Sequence, residues 1–161
     1  QRQLFFSDQV AQGKLGLLFP GQGSQYLEMG RDLAALFPQV QEMLAAAQNH
    51  FGGHPTLATR IFPQGHHDPA ARQTLEAQLR DTDVAQPAIG SLSAAMVCIL
   101  DSFGVRPDAT AGHSYGELVA LYAAGWIDPA DVWIVDPDGD TVTLSPTSQP
   151  IGARLAVTVP A

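Results

Sequence analysis

The apolar positions of the chain form two short continuous runs separated by segments with helical spacing. The first run covers residues 15–19 and ends at Pro20, and the second covers residues 109–111, after a turn at Pro107 and Asp108. Continuous apolar runs of this length are typical of strands in a parallel sheet that is covered on both faces. We therefore predict one strand near the start of the chain and a second strand after the longest helical segment.

Helical segments surround these strands, because apolar residues recur there at intervals of three or four. Asp68 and Pro69 predict the N-cap and first residue of one helix, and Gly104 and Gly125 predict the ends of two others. The stretch from His54 to His67 lacks this spacing and is predicted to be a loop. The predicted helices cover residues 29–37, 38–51, 69–80, 86–103 and 117–124.

The order of strands and helices predicts an α/β fold with a parallel sheet. We assign residues 14–132 to this core and residues 1–13 to a polar lead-in or linker. The pattern then changes, because an acidic turn is followed by alternating segments at 141–144 and 155–159 that predict short strands. Residues 133–161 are therefore treated as a tail of unknown relationship to the core.

Composition and charge narrow the range of partners. With 45% apolar residues, 15% charged residues and a net charge of −8, the chain is typical of a globular protein and has no basic patch for nucleic acid. The single cysteine, Cys98, cannot form an internal disulfide and is predicted to be a buried, inert thiol. Neither a membrane-length apolar run nor a signal peptide is evident. We expect a cytoplasmic protein that binds neither nucleic acid nor membrane.

Three patterns suggest ligand sites that their spacing does not support. The Gly-x-Gly at residues 21–23 follows a strand as in a dinucleotide-binding loop, but Tyr26 occupies the place of the third glycine. We interpret residues 21–25 as a tight loop whose backbone N–H groups can face an anion. The histidine pair within residues 66–68 has one carboxylate beside it, and the aspartates of 136–140 lack the closing glutamate of a calcium loop. No metal site is predicted.

Ser114 is the strongest candidate for chemistry. It lies between Gly112 and Gly116 in the pattern Gly-x-Ser-x-Gly, after the second predicted strand and before a predicted helix. This is the sequence form of a nucleophile elbow, in which a sharp strand-to-helix turn holds the serine hydroxyl above the sheet. The N–H groups at the start of the helix point to where an oxyanion forms in acyl transfer. We predict that Ser114 is a nucleophile.

Three ordered motifs resemble the acyltransferase family of malonyl-CoA:acyl carrier protein transacylases and the acyltransferase domains of polyketide and polyunsaturated fatty acid synthases. They are LLFPGQGSQY at 17–26 with MGRDL at 29–33, VAQPAIG at 84–90, and AGHSYGELVALYAAGWID at 111–128. Motifs in a fixed order are more specific than any one alone. The resemblance implies the N-terminal part of such a domain, with an incomplete three-layer, α/β-hydrolase-like core and no ferredoxin-like subdomain.

The resemblance also implies a reaction and a set of site residues. Ser114 would take an acyl group, expected to be malonyl, from CoA and pass it to the phosphopantetheine thiol of an acyl carrier protein. By match to the family motifs, the backbone N–H groups of Gln22 and Tyr115 would form the oxyanion hole, and Gln86 and His113 would line the substrate pocket. No bound cofactor is implied. Other synthase domains, with a ketosynthase upstream, are the implied neighbours.

Two departures from the family pattern leave alternatives open. The resemblance implies a histidine base well downstream of the serine, whereas all five histidines of this chain precede or adjoin Ser114. An arginine for the malonyl carboxylate is expected where Gly139 lies. One alternative is an inactive remnant that serves as a scaffold or carrier-protein docking surface. The other is a serine esterase, which shares Gly-x-Ser-x-Gly but needs a histidine after the serine.

Overall fold

The computed structural model describes residues 13–51, 55–64, 68–127 and 154–155. Its three strands are parallel and lie side by side in sequence order. The α/β fold with a parallel sheet is therefore confirmed. The elements are β1 (Gly16–Phe19), α1 (Arg31–Leu36), α2 (Pro38–Phe51), α3 (Leu57–Ile61), α4 (Pro69–Gln78), α5 (Thr82–Ser102), β2 (Ala109–Gly112), α6 (Gly116–Ala123) and β3 (Arg154–Leu155).

The two faces of strand β1 have different surroundings in the described part of the chain. Phe19 is buried and Leu17 is half-buried on one face, whereas Leu18 on the other face is 82% exposed. Strand β2 directs Thr110 to the covered face, where its hydroxyl donates a hydrogen bond of 2.9 Å to the carbonyl of Ala120 in α6. The described helices thus cover β1 on one face, where the sequence predicted a strand covered on both.

Helix α5 forms the centre of the core and contacts α2, α3 and α6. Its buried side chains include Val84, Leu92 and Ile99, which pack with Val40 and Leu44 of α2. By length and composition alone α5 could cross a membrane, since its most apolar window has a mean hydropathy of 1.4. Because 67% of that window is buried inside the protein, its composition is accounted for by its place in the core.

The stretch predicted as a loop from residue 54 to residue 67 contains helix α3, so that prediction is wrong for these five residues. Thr56 caps the helix, because its hydroxyl accepts a hydrogen bond of 3.2 Å from the N–H of Thr59. Leu57 and Ile61 lie one turn apart and are both buried. The sequence shows the capping threonine and the apolar pair. A helix of five residues is too short for its apolar spacing to stand out among the surrounding polar residues.

Helix α5 begins at Thr82 and not at Gln86, so Pro87 lies inside the helix and not at its start. Proline lacks the N–H that would bond to the carbonyl of Asp83, four residues earlier. Asp83 is exposed, so water can satisfy that carbonyl. The additional turn buries Val84 and Ala85, which favours the longer helix.

The remaining helix ends follow the predicted signals closely. A carboxylate oxygen of Asp68 accepts a bond of 3.1 Å from the N–H of Ala71 at the start of α4. Gly104 and Gly125 have φ of +73° and +74° just after α5 and α6. Helix α1 is shorter than predicted and begins after Gly30. The predicted strand at 141–144, the histidine pair at 66–67 and residues 1–12 of the assigned lead-in 1–13 lie outside the described residues.

Candidate active site

The turn between β2 and α6 has the strand-to-helix form that the sequence predicts for it. Its central residue, Ser114, has a φ of +54°, in the left-handed region that residues with a Cβ seldom adopt. The N–H of Gly116 donates to the carbonyl of His113 at 3.0 Å, and the N–H of Glu117 donates to the carbonyl of Ser114 at 2.9 Å. Helix α6 therefore begins only two residues after Ser114, and Ser114 itself is exposed.

The two glycines of the motif permit backbone contacts that a side chain would prevent. A Cβ atom on Gly112 would overlap the carbonyl group of Gly116 and the nitrogen of Glu117. A Cβ atom on Gly116 would overlap the carbonyl oxygen of Phe19 and lie 2.7 Å from that of Pro20. Both glycines are thus required for the close approach of α6 to the ends of the two strands.

The loop after β1, residues 21–25, lies against the turn that contains Ser114. The N–H of His113 donates to the carbonyl of Phe19 at 3.1 Å. A Cβ atom on Gly21 would overlap the carbonyl oxygen of His113 and lie 2.9 Å from Cβ of Ser114. Within the loop, the hydroxyl of Ser24 donates to the carbonyl of Gly21 at 2.9 Å. The structure therefore brings the candidate oxyanion loop and the candidate nucleophile together.

The side chain of Gln22 connects this loop to the start of α5. Its Nε2 donates to the hydroxyl of Thr82 at 3.1 Å and to the carbonyl of Arg80 at 3.3 Å. Its Oε1 accepts a bond of 3.4 Å from Nε2 of Gln86. Gln86 therefore lies beside Gln22. The sequence did not single out Thr82, because it lies outside the recognised motifs.

Tyr115, the residue after the serine, is 5% exposed and packs on α5. A Cβ atom on Gly90 would lie 2.7 Å from Cε1 of the Tyr115 ring. Burial raises the pKa of the Tyr115 phenol above its ordinary range. A neutral, buried ring suits a residue whose position is determined by packing.

His113 precedes the serine and is exposed on the side of the glycine-rich loop. A Cβ atom on Gly21 would lie 3.1 Å from its Nδ1, so the imidazole lies over that loop. Within the described part of the chain, no three His, Cys, Asp or Glu side chains are grouped so as to hold a metal ion. The predicted site residues are therefore close together. The turn contains His113, Ser114 and Tyr115, the loop contains Gln22, and Gln86 is hydrogen-bonded to Gln22.

The chain is similar to known proteins. A family model described as an acyl transferase domain matches residues 17–135. The chain is 39% identical over 116 residues to the mycoketide-CoA synthase of Mycobacterium tuberculosis, a match that covers 72% of this chain and 3% of that protein. It therefore spans a small part of the length of such a relative.

Solved structures give the same result. An acyl carrier protein S-malonyltransferase from Vibrio cholerae is 31% identical with a TM-score of 0.63, and the match covers 75% of this chain and 36% of that one. A malonyl-transacylase solved in complex with its type II acyl-carrier protein is 35% identical with a TM-score of 0.64, over 75% of this chain and 36% of that one. The chain belongs to the acyl transferase domain family.

Proposed function

We propose that this chain moves an acyl group from CoA to an acyl carrier protein through an acyl-serine intermediate at Ser114. The observation that carries the proposal is the position of Ser114 at a left-handed turn, with the Gly21 backbone packed against its Cβ. A relative of similar fold is named an acyl carrier protein S-malonyltransferase, and another was solved with its carrier protein. Both names favour the same pair of substrates here.

In the first half of the reaction, Oγ of Ser114 attacks the carbonyl carbon of the acyl-CoA thioester. The C–S bond breaks, and the CoA sulfur leaves with the proton that the serine gives up. In the second half, the phosphopantetheine thiol of the carrier protein attacks the acyl-serine. The C–O bond then breaks, and the serine regains a proton. Each half passes through a tetrahedral oxyanion, which needs hydrogen-bond donors that are already in place.

We assign these donors to the backbone N–H groups of Gln22 and Tyr115. The bonds that the structure gives Gln22 are made by its side-chain amide, which fixes the loop without using the N–H. Tyr115 is the N-cap of α6, at the positive end of the helix. Two donors that face one oxygen from different elements are what stabilisation of an oxyanion requires.

The acyl group is proposed to be malonyl, with Gln86 and His113 at the edge of its pocket. Both are polar side chains within the candidate site, and Gln86 is already bonded to Gln22. The carrier protein and neighbouring synthase domains, with a ketosynthase upstream, are the proposed partners. The match to a mycoketide-CoA synthase favours this multidomain setting.

Intact-protein mass spectrometry after incubation with malonyl-CoA tests the proposal. We expect a malonyl adduct on the unaltered chain and none on Ser114→Ala. Ser102→Ala is the matched control, because that hydroxyl donates to the carbonyl of Ile99 within α5, away from the turn. A folded chain without any adduct would contradict the transferase and favour the inactive scaffold. Binding of a carrier protein would then become the property to measure.

A further inference from the structure

Helix α5 contacts a side chain from each of the two segments whose backbone N–H groups are proposed to bind the oxyanion. Near its start, Thr82 accepts a hydrogen bond from the side chain of Gln22. About 12 Å further along the helix axis, Gly90 lies under the ring of Tyr115. The two segments otherwise come from distant parts of the chain, one after β1 and one after β2. One helix is therefore in contact with both.

We infer that the N-terminal half of α5 sets the relative position of the two oxyanion donors, with Thr82 and Gly90 as positioning residues. Neither residue contacts the reacting atoms: Thr82 acts through Gln22, and Gly90 acts through Tyr115. The inference rests on the proposed function. It assigns to Thr82 and Gly90 the positioning of the two segments whose N–H groups would bind the oxyanion.

The contact at Thr82 is polar and depends on a single hydroxyl. Gln22 is exposed, so water competes for its amide, and one hydrogen bond alone would hold it weakly. Arg80 and Gln86 supply the other two bonds, and the three partners lie between the end of α4 and the second turn of α5. Removing the hydroxyl of Thr82 weakens the attachment of the loop to α5 and leaves the core intact, because Thr82 is itself exposed.

The contact at Gly90 is steric and depends on the absence of a side chain. Gly90 is buried in the interior of α5, where glycine is a poorer helix former than alanine. Tyr115 accounts for its presence, because the ring occupies the space in which a Cβ atom would lie. Any larger residue at position 90 must displace the ring, and with it the residue next to the nucleophile.

The test compares Thr82→Val with Thr82→Ser in the full chain, using the rate of malonyl adduct formation at Ser114 at several malonyl-CoA concentrations. Valine has nearly the shape of threonine without the hydroxyl, whereas serine retains the hydroxyl. Thr74→Val is the matched control, because the Thr74 hydroxyl bonds within α4, to the carbonyl of Ala70. We expect Thr82→Val to lower the maximal rate roughly tenfold with KM within about twofold, because the loss falls on the transition state.

A second readout monitors the oxyanion pocket directly. With malonyl-CoA labelled with ¹³C at the thioester carbonyl, the infrared band of the acyl-serine carbonyl reports how strongly the donors polarise it. We expect the band to move to higher frequency in Thr82→Val and to stay in place in Thr82→Ser and Thr74→Val. A change in melting temperature alone would leave the band unmoved, so a merely structural role of Thr82 is distinguishable.

The outcomes separate this inference from the function on which it rests. If the unaltered chain forms an adduct and Thr82→Val keeps both its rate and its carbonyl band, α5 does not position the loop and the inference is wrong. If the unaltered chain forms no adduct, the proposed function fails first and the inference fails with it. A lower rate that Thr82→Ser restores, together with the shifted band, supports the inference.

Discussion

The turn after β2 and the loop after β1 meet at Ser114, yet different forces hold them in place. The turn is held by backbone packing, since Gly112 and Gly116 approach other backbone atoms too closely for any side chain. The loop is attached by hydrogen bonds between the side chain of Gln22 and three residues in the first turns of α5 or just before it, Arg80, Thr82 and Gln86. Steric contacts tolerate almost no change, whereas exposed hydrogen bonds are individually worth about 1 kcal/mol. Changes in the turn should therefore affect folding, and changes in the loop should affect activity.

The largest effect is expected from Gly116→Ala. The added methyl group would overlap the carbonyl of Phe19, and the backbone of the turn has no room to yield. We expect a loss of about 3 kcal/mol or more in the free energy of unfolding, measured by urea denaturation. Gly16→Ala is the matched control, because a Cβ atom at Gly16 in β1 meets no atom within 4 Å. Equal stability of the two variants would contradict the steric account.

Gly90→Ala tests the contact between α5 and the turn. Alanine gains about 1 kcal/mol in helix propensity, but its methyl group would lie 2.7 Å from Cε1 of Tyr115. We expect a net destabilisation of about 1–2 kcal/mol in thermal unfolding. We also expect slower acylation of Ser114, because the displaced ring belongs to the residue next to the nucleophile. The double variant with Tyr115→Leu removes the clashing ring. Its destabilisation should be less than the sum of the two single changes, and strict additivity would show that the residues do not interact.

Gln86→Leu should separate activity from stability most clearly. It removes the donor to Oε1 of Gln22 while Gln86 is only half-buried. We expect the free energy of unfolding to change by less than about 1 kcal/mol and the rate of acyl-serine formation to fall about tenfold. Gln41→Leu, on the exposed surface of α2, is the control for a loss of amide alone. A destabilisation as large as that of Gly116→Ala would remove the distinction between turn and loop.

The smallest effect is confined to alkaline pH and concerns the phenol of Tyr115. Its pKa in the folded chain is raised by burial above the ordinary 10.0, so folding opposes ionisation. The corresponding stability is fully present below pH 10 and is lost as the pH rises above that value. We expect a weaker dependence of unfolding free energy on pH above 10 in Tyr115→Phe. Tyr26→Phe, after the loop, is the control, since Tyr26 is 63% exposed. An unchanged slope in Tyr115→Phe would show that this phenol does not resist ionisation.

Local patterns in the sequence were sufficient for most of the fold. Continuous apolar runs predicted β1 and β2, helical spacing predicted α2 and α6, and Asp68 predicted the start of α4. These features depend on neighbouring residues, so they can be derived without knowledge of the tertiary structure. Prediction failed at α3, where a five-residue helix is too short for a periodic signal, and at the first turn of α5, where proline misplaced the start.

The residues of the candidate site also fall into those that the sequence predicted and one that it did not. The order of strand, glycines, serine and helix was enough to predict a turn that exposes Ser114, and family motifs pointed to Gln22, Gln86, His113 and Tyr115. Their roles in catalysis remain predictions. Thr82 could not be identified, because a threonine outside a recognised motif has no local feature that sets it apart.

The sequence by itself determined the α/β class, the position of the strand-to-helix turn and the family, because each depends on the order of residues along the chain. The tertiary structure alone decided that Gln22 bonds to Thr82 and Gln86, and that Gly90 makes room for Tyr115. These contacts join residues far apart in sequence, and they form only when β1, β2 and α5 pack together. Tertiary packing therefore determines which residues hold the loop after β1 and the turn after β2 in their relative positions. No local sequence pattern identifies those residues.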